Sequence, residues 1–445
     1  MQSLLIANRG EIAVRVIRTC REMGIKTVAV YSEADANSMH VKLADKSICI
    51  GPAEASKSYL DIPRIMSAIE VSGADCVHPG YGFLSENPKF AEIVTASGRV
   101  FVGPSAETLE LIGDKVRAKE VAKKVGLPLV PGSDGPVDFQ KALEVAGKVG
   151  YPVVIKAAAG GGGRGIRVVH NERELREKLP LAMQEAQSAF GDPRVYIEKY
   201  VINPKHIEFQ VLADKYGNVV VLGERECSIQ RRHQKLIEEA PSASITEEKR
   251  REIYELVAEF CREINYEGAG TVEFLFDQDG NFYFMEMNGR IQVEHPVSEM
   301  VFGIDIVEWQ IRIAMGQRLS FKQEDLEPKG YAIECRINAE DPNTFMPSPG
   351  KVEELYLPGG FGVRVDTHLY CGYTVPPYYD SLLAKLVCWG SDRQEAIRRC
   401  LRALEEFKIS GSGLKTNIDF HKRVLSSREF QQGKHHVRFV EELLI

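Results

Sequence analysis

The sequence predicts an α/β and α+β protein: a doubly wound parallel sheet at the N-terminus, a small module in the middle, and a mixed region running to the C-terminus. Three observations carry this prediction. Short apolar runs alternate with helix-period segments up to about residue 110, which is how strand–helix–strand units around a parallel sheet read. A Pro/Gly-rich stretch, LPLVPGSDGPV, then breaks the alternation and reads as a hinge. Beyond about residue 204, β-like segments follow one another with one long helix among them. The 445 residues suit about three domains at roughly 150 residues each.

Residues 3–8, SLLIAN, read as a buried strand, and residues 10–23 place Ile12, Ala13, Val16 and Ile17 on one face of a helix. KTVAVY, SICI and ADCVHPG supply further strands, with IPRIMSAIEVSG as a helix between the last two. Only Gly10 stands in the turn after the first strand, so the GxGxxG of a dinucleotide site is missing. GDKVRAKEVAKKVG is a helix leading into the hinge. Strands HIEFQVLAD, NVVVLGERE, GTVEFLFD and NFYFMEMN come later, with a long helix over residues 247–264. From about Gly330 the chain opens with strands and turns. It then enters a helix at Ser391, where Gln394 three residues on makes a capping-box pattern. Ala396, Ile397, Cys400, Leu401, Leu404 and Phe407 form that helix's apolar stripe. The expected units are residues 1–112, linker helices over 113–130, a module over 131–203, and residues 204–445.

Composition excludes several classes. Hydrophobic residues make up 44% and charged residues 27%, near the globular averages, so a disordered or fibrous chain is ruled out. The net charge of −7 argues against nucleic acid, whose binders carry a basic surplus. No apolar run reaches the length of a membrane span. The N-terminal MQSLLIANRGEIAVR lacks the apolar core and cleavage site of a signal peptide. The 9 cysteines are scattered with no CxxC pair, which suits reduced thiols in a cytoplasmic protein.

Two segments point to a phosphorylated ligand. In YPVVIKAAAGGGGRGIRVVH, residues 160–163 are all glycine, between two β-like flanks. No GK[ST] follows, so this is not a Walker loop. Glycines let backbone N–H groups turn toward an anion, and Lys156 and Arg164 add charge. Second, GTVEFLFDQDGNFYFMEMNGR reads as two strands around a two-residue Asp279-Gly280 turn. Pairing outward from that turn sets Glu273 directly opposite Glu286. Two carboxylates about 5 Å apart repel by on the order of 3 kcal/mol at an effective dielectric near 20. A divalent cation with hard oxygen ligands, Mg²⁺ or Mn²⁺, would neutralise them. Asn288 falls on the same strand face and is a third oxygen ligand in this reading. The plainer alternative is that one of the two glutamates pairs with a nearby lysine or arginine. A magnesium ion held by few carboxylates bridges substrate phosphates, so both segments point to a nucleoside triphosphate.

Arg290, Gln292 and Glu294 follow at alternating positions, and an extended run would aim all three the same way. Arginine and glutamate together bind a small oxyanion and move its proton, although a plain ion pair reads equally well. Upstream, CSIQRRHQK read as one strand puts Arg231, His233 and Lys235 on one side, as an anion site or a solvated basic face. Arg336 in YAIECRINAE is another strand arginine, ordinarily a salt-bridge partner.

RGEIAVR, HPGYGFLSEN, KAAAGGGGRGIRVV, ECSIQRRHQKLIEEAP, FMEMNGRIQVEHPVSEM, ECRINAEDP and PPYYDSLLAKL together resemble the biotin carboxylase family of the ATP-grasp superfamily. The resemblance covers essentially the whole chain. It implies a pre-ATP-grasp domain, an ATP-grasp lid and a C-terminal domain. The implied reaction activates bicarbonate with ATP to carboxyphosphate and passes CO₂ to N1′ of biotin on a carrier. Lys115, Lys156, Gly162, Gly163, Glu198, Lys199, Tyr200, Val201, His206, Gln230, His233 and Leu275 would line the ATP site, together with Glu273 and Glu286. Glu273, Glu286 and Asn288 would hold Mg²⁺ or Mn²⁺, two ions being expected. Lys235, Arg290, Gln292, Val293 and Glu294 would bind bicarbonate, with Glu294 as the base. Arg336 would steady the biotin anion, and Tyr81 would lie on the biotin side.

The sequence contains no MKM-type biotin attachment site and has no room for a carboxyltransferase, so both are expected on other polypeptides. A homodimer is implied, in an acetyl-CoA carboxylase or a two-subunit pyruvate carboxylase, with the final acceptor left open. Two rival readings are another ATP-grasp carboxylate–amine ligase and a non-catalytic nucleotide-binding subunit. Position 289 is glycine where the family typically has threonine, which is expected to loosen the strand. Ala159 precedes four glycines where many members have a fifth or a larger residue.

Overall fold

The computed structural model describes residues 2–158 and 166–444. Ala159 and the glycine run, with Gly162, Gly163 and Arg164, lie outside the described residues.

Strands β1 (Ser3–Ile6), β2 (Lys26–Ser32), β3 (Lys46–Gly51), β4 (Cys76–His78) and β5 (Val100–Phe101) form a parallel sheet in the order β3-β2-β1-β4-β5. β1 is apolar on both faces because both are covered. Leu4 and Ile6 pack with Ile12, Val16 and Ile17 of helix Gly10–Glu22, while Leu5 joins Val28, Val30 and Val77 on the other side. Helix Lys115–Val125 is capped by the Asp114 carboxylate, which accepts from the N–H groups of Val116 and Arg117, and ends at Gly126 with φ +87°.

Strands β6 (Val153–Ala157), β7 (Ile166–Val169) and β8 (Val195–Lys199) make a separate antiparallel sheet in the order β7-β6-β8. Helices Phe139–Val149 and Glu172–Phe190 cover it, and Val153, Ile155, Leu175, Leu179 and Ile197 form a core of its own. A private core is the mark of a unit that folds largely by itself.

The remaining strands are β9 (Lys205–Ala213), β10 (Val219–Arg231), β11 (Gln234–Ala240), β12 (Gly268–Phe276), β13 (Phe282–Asn288), β14 (Tyr331–Asn338), β15 (Glu354–Tyr356), β16 (Val363–Thr367), β17 (Leu382–Gly390) and β18 (Lys408–Ser410). Eight of them form one sheet, β13-β12-β9-β10-β11-β14-β17-β16, and β15 pairs with β18. The β11–β14 junction, Ile237 opposite Cys335, makes the sheet continuous across both halves of this region. Helix Glu247–Glu263 packs on the β9–β13 end, and helices Arg393–Glu406 and Ile418–Ser426 pack on the β14–β17 end. The charged side chains gather between these two apolar blocks.

Four local expectations are corrected. The β12–β13 loop has five residues, 277–281, not two; the Asp277 carboxylate accepts from the N–H groups of Asp279 and Asn281 and stabilises the wider loop. CSIQRRHQK is a hairpin, not one strand: Arg232 and His233 turn the chain with φ +49° and +64°. Gln230 therefore faces Lys235, and Arg231 faces Gln234. Residues 289–294 are not a strand, because the chain leaves the sheet at Asn288 and Glu294 stands at the N-cap position of helix His295–Phe302 without a side-chain cap bond. The last long helix begins one residue later than expected; the Asp392 carboxylate accepts from the N–H of Glu395 and is the cap.

Among the described residues no helix is long and apolar enough to cross a membrane. All 9 cysteines are free, and only Cys49 and Cys371 are exposed. A thiol reagent should therefore titrate two groups in the folded chain and nine after denaturation. A native count well above two would contradict this burial pattern.

Candidate active site

Glu273 lies opposite Glu286 in the β12–β13 pair. The five-residue loop alone would set Glu273 against Met285. A bulge inserts Met285 between the pairs Phe274–Phe284 and Glu273–Glu286, and so restores the opposition. Val272, Phe274 and Phe276 face the core with Phe282, Phe284 and Met287, while Glu273, Glu286 and Asn288 share the opposite face. Glu273 is buried. His206 Nε2 lies 3.0 Å from its Oε2, and Lys235 Nζ (3.1 Å), Asn288 Nδ2 (2.9 Å) and Gln292 Nε2 (2.8 Å) donate to its Oε1. Burial alone would raise this carboxyl, but Lys235 and His206 hold it well below the usual range. Glu286 looks outward, with Lys115 Nζ 3.6 Å away. Cationic partners thus compensate both carboxylates, the plainer of the two expectations. The donor set itself, two carboxylates and a carboxamide on one face, consists of the hard oxygens that Mg²⁺ or Mn²⁺ takes, so the residues fit such an ion.

Lys235 is the centre of the charged cluster. Its ammonium donates to Glu208 (2.5 Å), Glu294 (2.7 Å) and Glu273 (3.1 Å), using all three protons. Burial would lower its pKa, but the three carboxylates raise it well above the ordinary lysine value. Glu294 also accepts from Arg336 Nη2 (2.9 Å). Against the opposing effect of burial, Lys235, Arg336 and Arg225 hold its carboxyl far below the normal range. Gln292 and Glu294 therefore converge on Lys235 and Glu273, through a loop and a helix cap and not through a strand. Arg290 stands beside them, donating to Glu86 (2.9 Å) and Asn288 Oδ1 (3.1 Å).

The other expected site residues fall in three places. Lys156 and Glu198 meet as an ion pair in the small module, where Lys119 also donates to Glu198 from outside it (2.7 Å). Tyr200 and Val201 follow at half-buried positions, while Lys199 turns away to the carbonyls of Gly150 (2.8 Å) and Tyr151 (3.1 Å). His206, Leu275 and Gln230 lie in the large sheet, with Leu275 opposite His206 and Gln230 opposite Lys235. Val293 offers its carbonyl to Lys385 (2.9 Å). His233 is exposed at the hairpin turn, and the Tyr81 hydroxyl, within electrostatic reach of Arg336, is bound to Glu11.

Several residues of the cluster escaped the sequence reading. Glu208 and Arg225 are fully buried, and their guanidinium–carboxylate contact is 2.5 Å. Glu86 accepts from both the Gly289 N–H and Arg290 (2.9 Å each). The one available signal was charge inside apolar strands: Glu208 in HIEFQVLAD, Arg225 in VVVLGERE. Gly289 loosens no strand. A Cβ there would stand 2.8 Å from both Leu109 Cδ2 and Ile112 Cδ1, so glycine lets helix Ala106–Gly113 approach the cluster. Gly289→Ala and Gly289→Thr should each cost about 1–3 kcal/mol by overpacking. Thermal melting at the parent temperature would show that the helix yields freely.

Known proteins resemble this chain along its whole length. Residues 1–109 match the model "Biotin carboxylase, N-terminal domain", and residues 334–442 match "Biotin carboxylase C-terminal domain". Between them, residues 114–322 match "Carbamoyl-phosphate synthase L chain, ATP binding domain". The biotin carboxylase of Haemophilus influenzae is 57% identical over 446 residues, 100% of this chain and 99% of that protein. This chain belongs to the biotin carboxylase family. A pyruvate carboxylase subunit from Methanothermobacter thermautotrophicus is 53% identical, covering 99% of this chain and 89% of that one. A biotin carboxylase from Campylobacter jejuni, solved as a β-γ-ATP complex, superposes with a TM-score of 0.93 at 50% identity over 99% of this chain and 98% of that one. The biotin carboxylase domain dimer of Hydrogenobacter thermophilus 2-oxoglutarate carboxylase, solved with MgADP, ADP and bicarbonate, gives a TM-score of 0.90 at 52% identity, over 99% and 97% of the two chains. In chain order the small three-stranded module of this biotin carboxylase family member lies between the N-terminal sheet and the eight-stranded sheet, and Lys119–Glu198 ties it to helix Lys115–Val125.

Proposed function

We propose that this chain uses ATP and bicarbonate to carboxylate biotin held on a separate carrier polypeptide. The observation that carries the reading is the convergence of Lys235 and Arg336 on Glu294, with Glu273, Gln292 and Arg290 around it. Lys235, Arg290, Gln292 and the Val293 backbone bind bicarbonate, whose charge takes over contacts that Glu294 now makes. Glu294, held ionised, accepts the bicarbonate proton, and the freed oxygen attacks the γ-phosphorus. The bond to the ADP oxygen breaks, leaving carboxyphosphate. Carboxyphosphate then splits into CO₂ and phosphate, the phosphate takes the N1′ proton of biotin, Arg336 stabilises the resulting anion, and its N1′ takes up the CO₂; Tyr81 borders that side.

Glu273, Glu286 and Asn288 hold the Mg²⁺ or Mn²⁺ ions, which neutralise triphosphate charge when bound. Lys115, Lys156, Gly162, Gly163, Glu198, Lys199, Tyr200, Val201, His206, Gln230, His233 and Leu275 form the nucleotide site. We assign the pre-ATP-grasp unit to residues 1–112, the linker to 113–130, the lid to 131–203, and the remainder to 204–445. The private core of the small module supports this division. A homodimer, a biotin carrier and a carboxyltransferase complete the assembly, in the cytoplasm. Relatives at 57% and 53% identity are named for biotin carboxylase and pyruvate carboxylase, which supports an acceptor chosen by another polypeptide.

The decisive measurement is ATP cleavage by the purified chain. It should depend on bicarbonate and rise with free biotin; absence of both effects would overturn the reading. Glu286→Gln should raise the Mg²⁺ concentration needed for half-maximal rate by roughly tenfold or more through loss of one carboxylate ligand. An unchanged requirement would remove Glu286 from the metal site.

A further inference from the structure

A second pair of opposed carboxyl groups lies under Glu294. Glu238 of β11 and Glu334 of β14 are register partners, so their Cβ atoms are about 4.5–5.5 Å apart. Both side chains are fully buried, at 0% exposure. Neither carboxyl oxygen of Glu334 has a hydrogen-bond partner, and Oε2 of Glu238 has none either. The other Glu238 oxygen accepts from Arg336 Nε at 2.5 Å, and the same guanidinium reaches Glu294 at 2.9 Å.

We propose that Glu238 and Glu334 share one proton, and that this proton sets how Arg336 divides itself between Glu238 and Glu294. The inference rests on the role given to Arg336 above. One proton turns two unpartnered oxygens into an O–H···O bond. Without it, two buried anions face each other and repel by on the order of 3 kcal/mol at an effective dielectric near 20.

The surrounding cations are already committed. Arg336 is shared with Glu294, and Lys235 is bound to Glu208, Glu273 and Glu294. Lys385 of β17 lies 3.2 Å from Glu11 and 3.9 Å from Asp366. Cys227 of β10 is a buried thiol, and burial keeps His295 on the overlying helix neutral. His421 from helix Ile418–Ser426 is likewise neutral and holds the Arg336 carbonyl (2.6 Å). Burial raises both carboxyl groups of the pair above the usual carboxylate range. When the shared proton leaves, the doubly charged pair draws Arg336 away from the biotin side.

Infrared spectroscopy of the full chain tests the pair directly. The carbonyl stretch of a protonated carboxyl group should be present at about pH 6 and titrate away near neutrality. In Glu334→Gln its midpoint should move at least roughly one pH unit to the acid side, because Glu238 then faces no ionisable partner. Glu238→Gln should abolish the same neutral titration. A wild-type spectrum without the band, or a midpoint unmoved in both variants, overturns the shared proton. The link to Arg336 has its own readout. The KM for free biotin should rise roughly threefold or more from about pH 6 to about pH 8 in the wild type and stay flat in Glu334→Gln. A band that titrates while the biotin KM follows the same curve in wild type and variant overturns the link alone. A titrating band in a chain without biotin-stimulated ATP cleavage overturns the functional reading and leaves the carboxyl pair standing.

Discussion

Glu294→Gln should lower bicarbonate-dependent ATP cleavage by about 10²–10⁴-fold, the scale of a lost general base. The amide keeps the shape and one acceptor oxygen but cannot take a proton. It also leaves Lys235 and Arg336 short of one negative charge, so part of their hold passes to Glu208, Glu273 and Glu238. That rearrangement lowers stability, since breaking one partner of a buried pair costs about 3–5 kcal/mol. Two controls separate chemistry from folding: the circular dichroism spectrum at the assay temperature should be unchanged, and ADP affinity should stay within roughly threefold, because Glu294 reaches the expected nucleotide residues only through Lys235. Turnover equal to the parent's would show that another group takes the proton.

The second large effect concerns a residue that touches no expected substrate. Arg225 is fully buried and spends its whole guanidinium on Glu208 (2.5 Å), Gln210 (2.6 Å), Gln292 (2.8 Å), Ser298 (3.1 Å) and Thr271 (3.2 Å). Those partners come from β9, β12, the loop after β13 and helix His295–Phe302. Arg225→Met should destabilise by about 3–5 kcal/mol, chiefly through the carboxylate left behind at Glu208. The melting temperature should fall by roughly 3–5 °C. Adding Glu208→Gln should cost less than the two single changes summed, because the stranded charge is gone. Gln292 loses the anchor of its Oε1, so bicarbonate binding should weaken even where the variant is folded. A variant that melts and turns over like the parent would show that Arg225 is a bystander.

Four strands of the doubly wound N-terminal sheet were legible because each is a short apolar run, whereas the two-residue β5 is too short to leave such a run. The β12–β13 pair shows the limit of that legibility. Period-two alternation correctly set Val272, Phe274 and Phe276 inward and Glu273 outward. The opposition to Glu286 came out right only because two departures cancel: a loop longer than Asp-Gly suggests and a bulge at Met285 that no residue type announces. The Arg232-His233 turn was invisible for a related reason. Positive φ is the habit of glycine; histidine adopts it only occasionally and arginine rarely, so Arg232-His233 carries no strong turn signal.

By itself the sequence determined which faces are apolar and which chemical groups are available: carboxylates, cations and the glycine run. Only the tertiary structure decided which of those groups meet. Lys235 and Glu294 lie 59 positions apart in the chain, and Arg336 and Glu294 lie 42 apart. Hydrophobic burial is local and non-directional, so it leaves a period in the sequence. A buried charge is tolerated only beside its partner, and that partner is supplied by whichever strand the sheet places next to it.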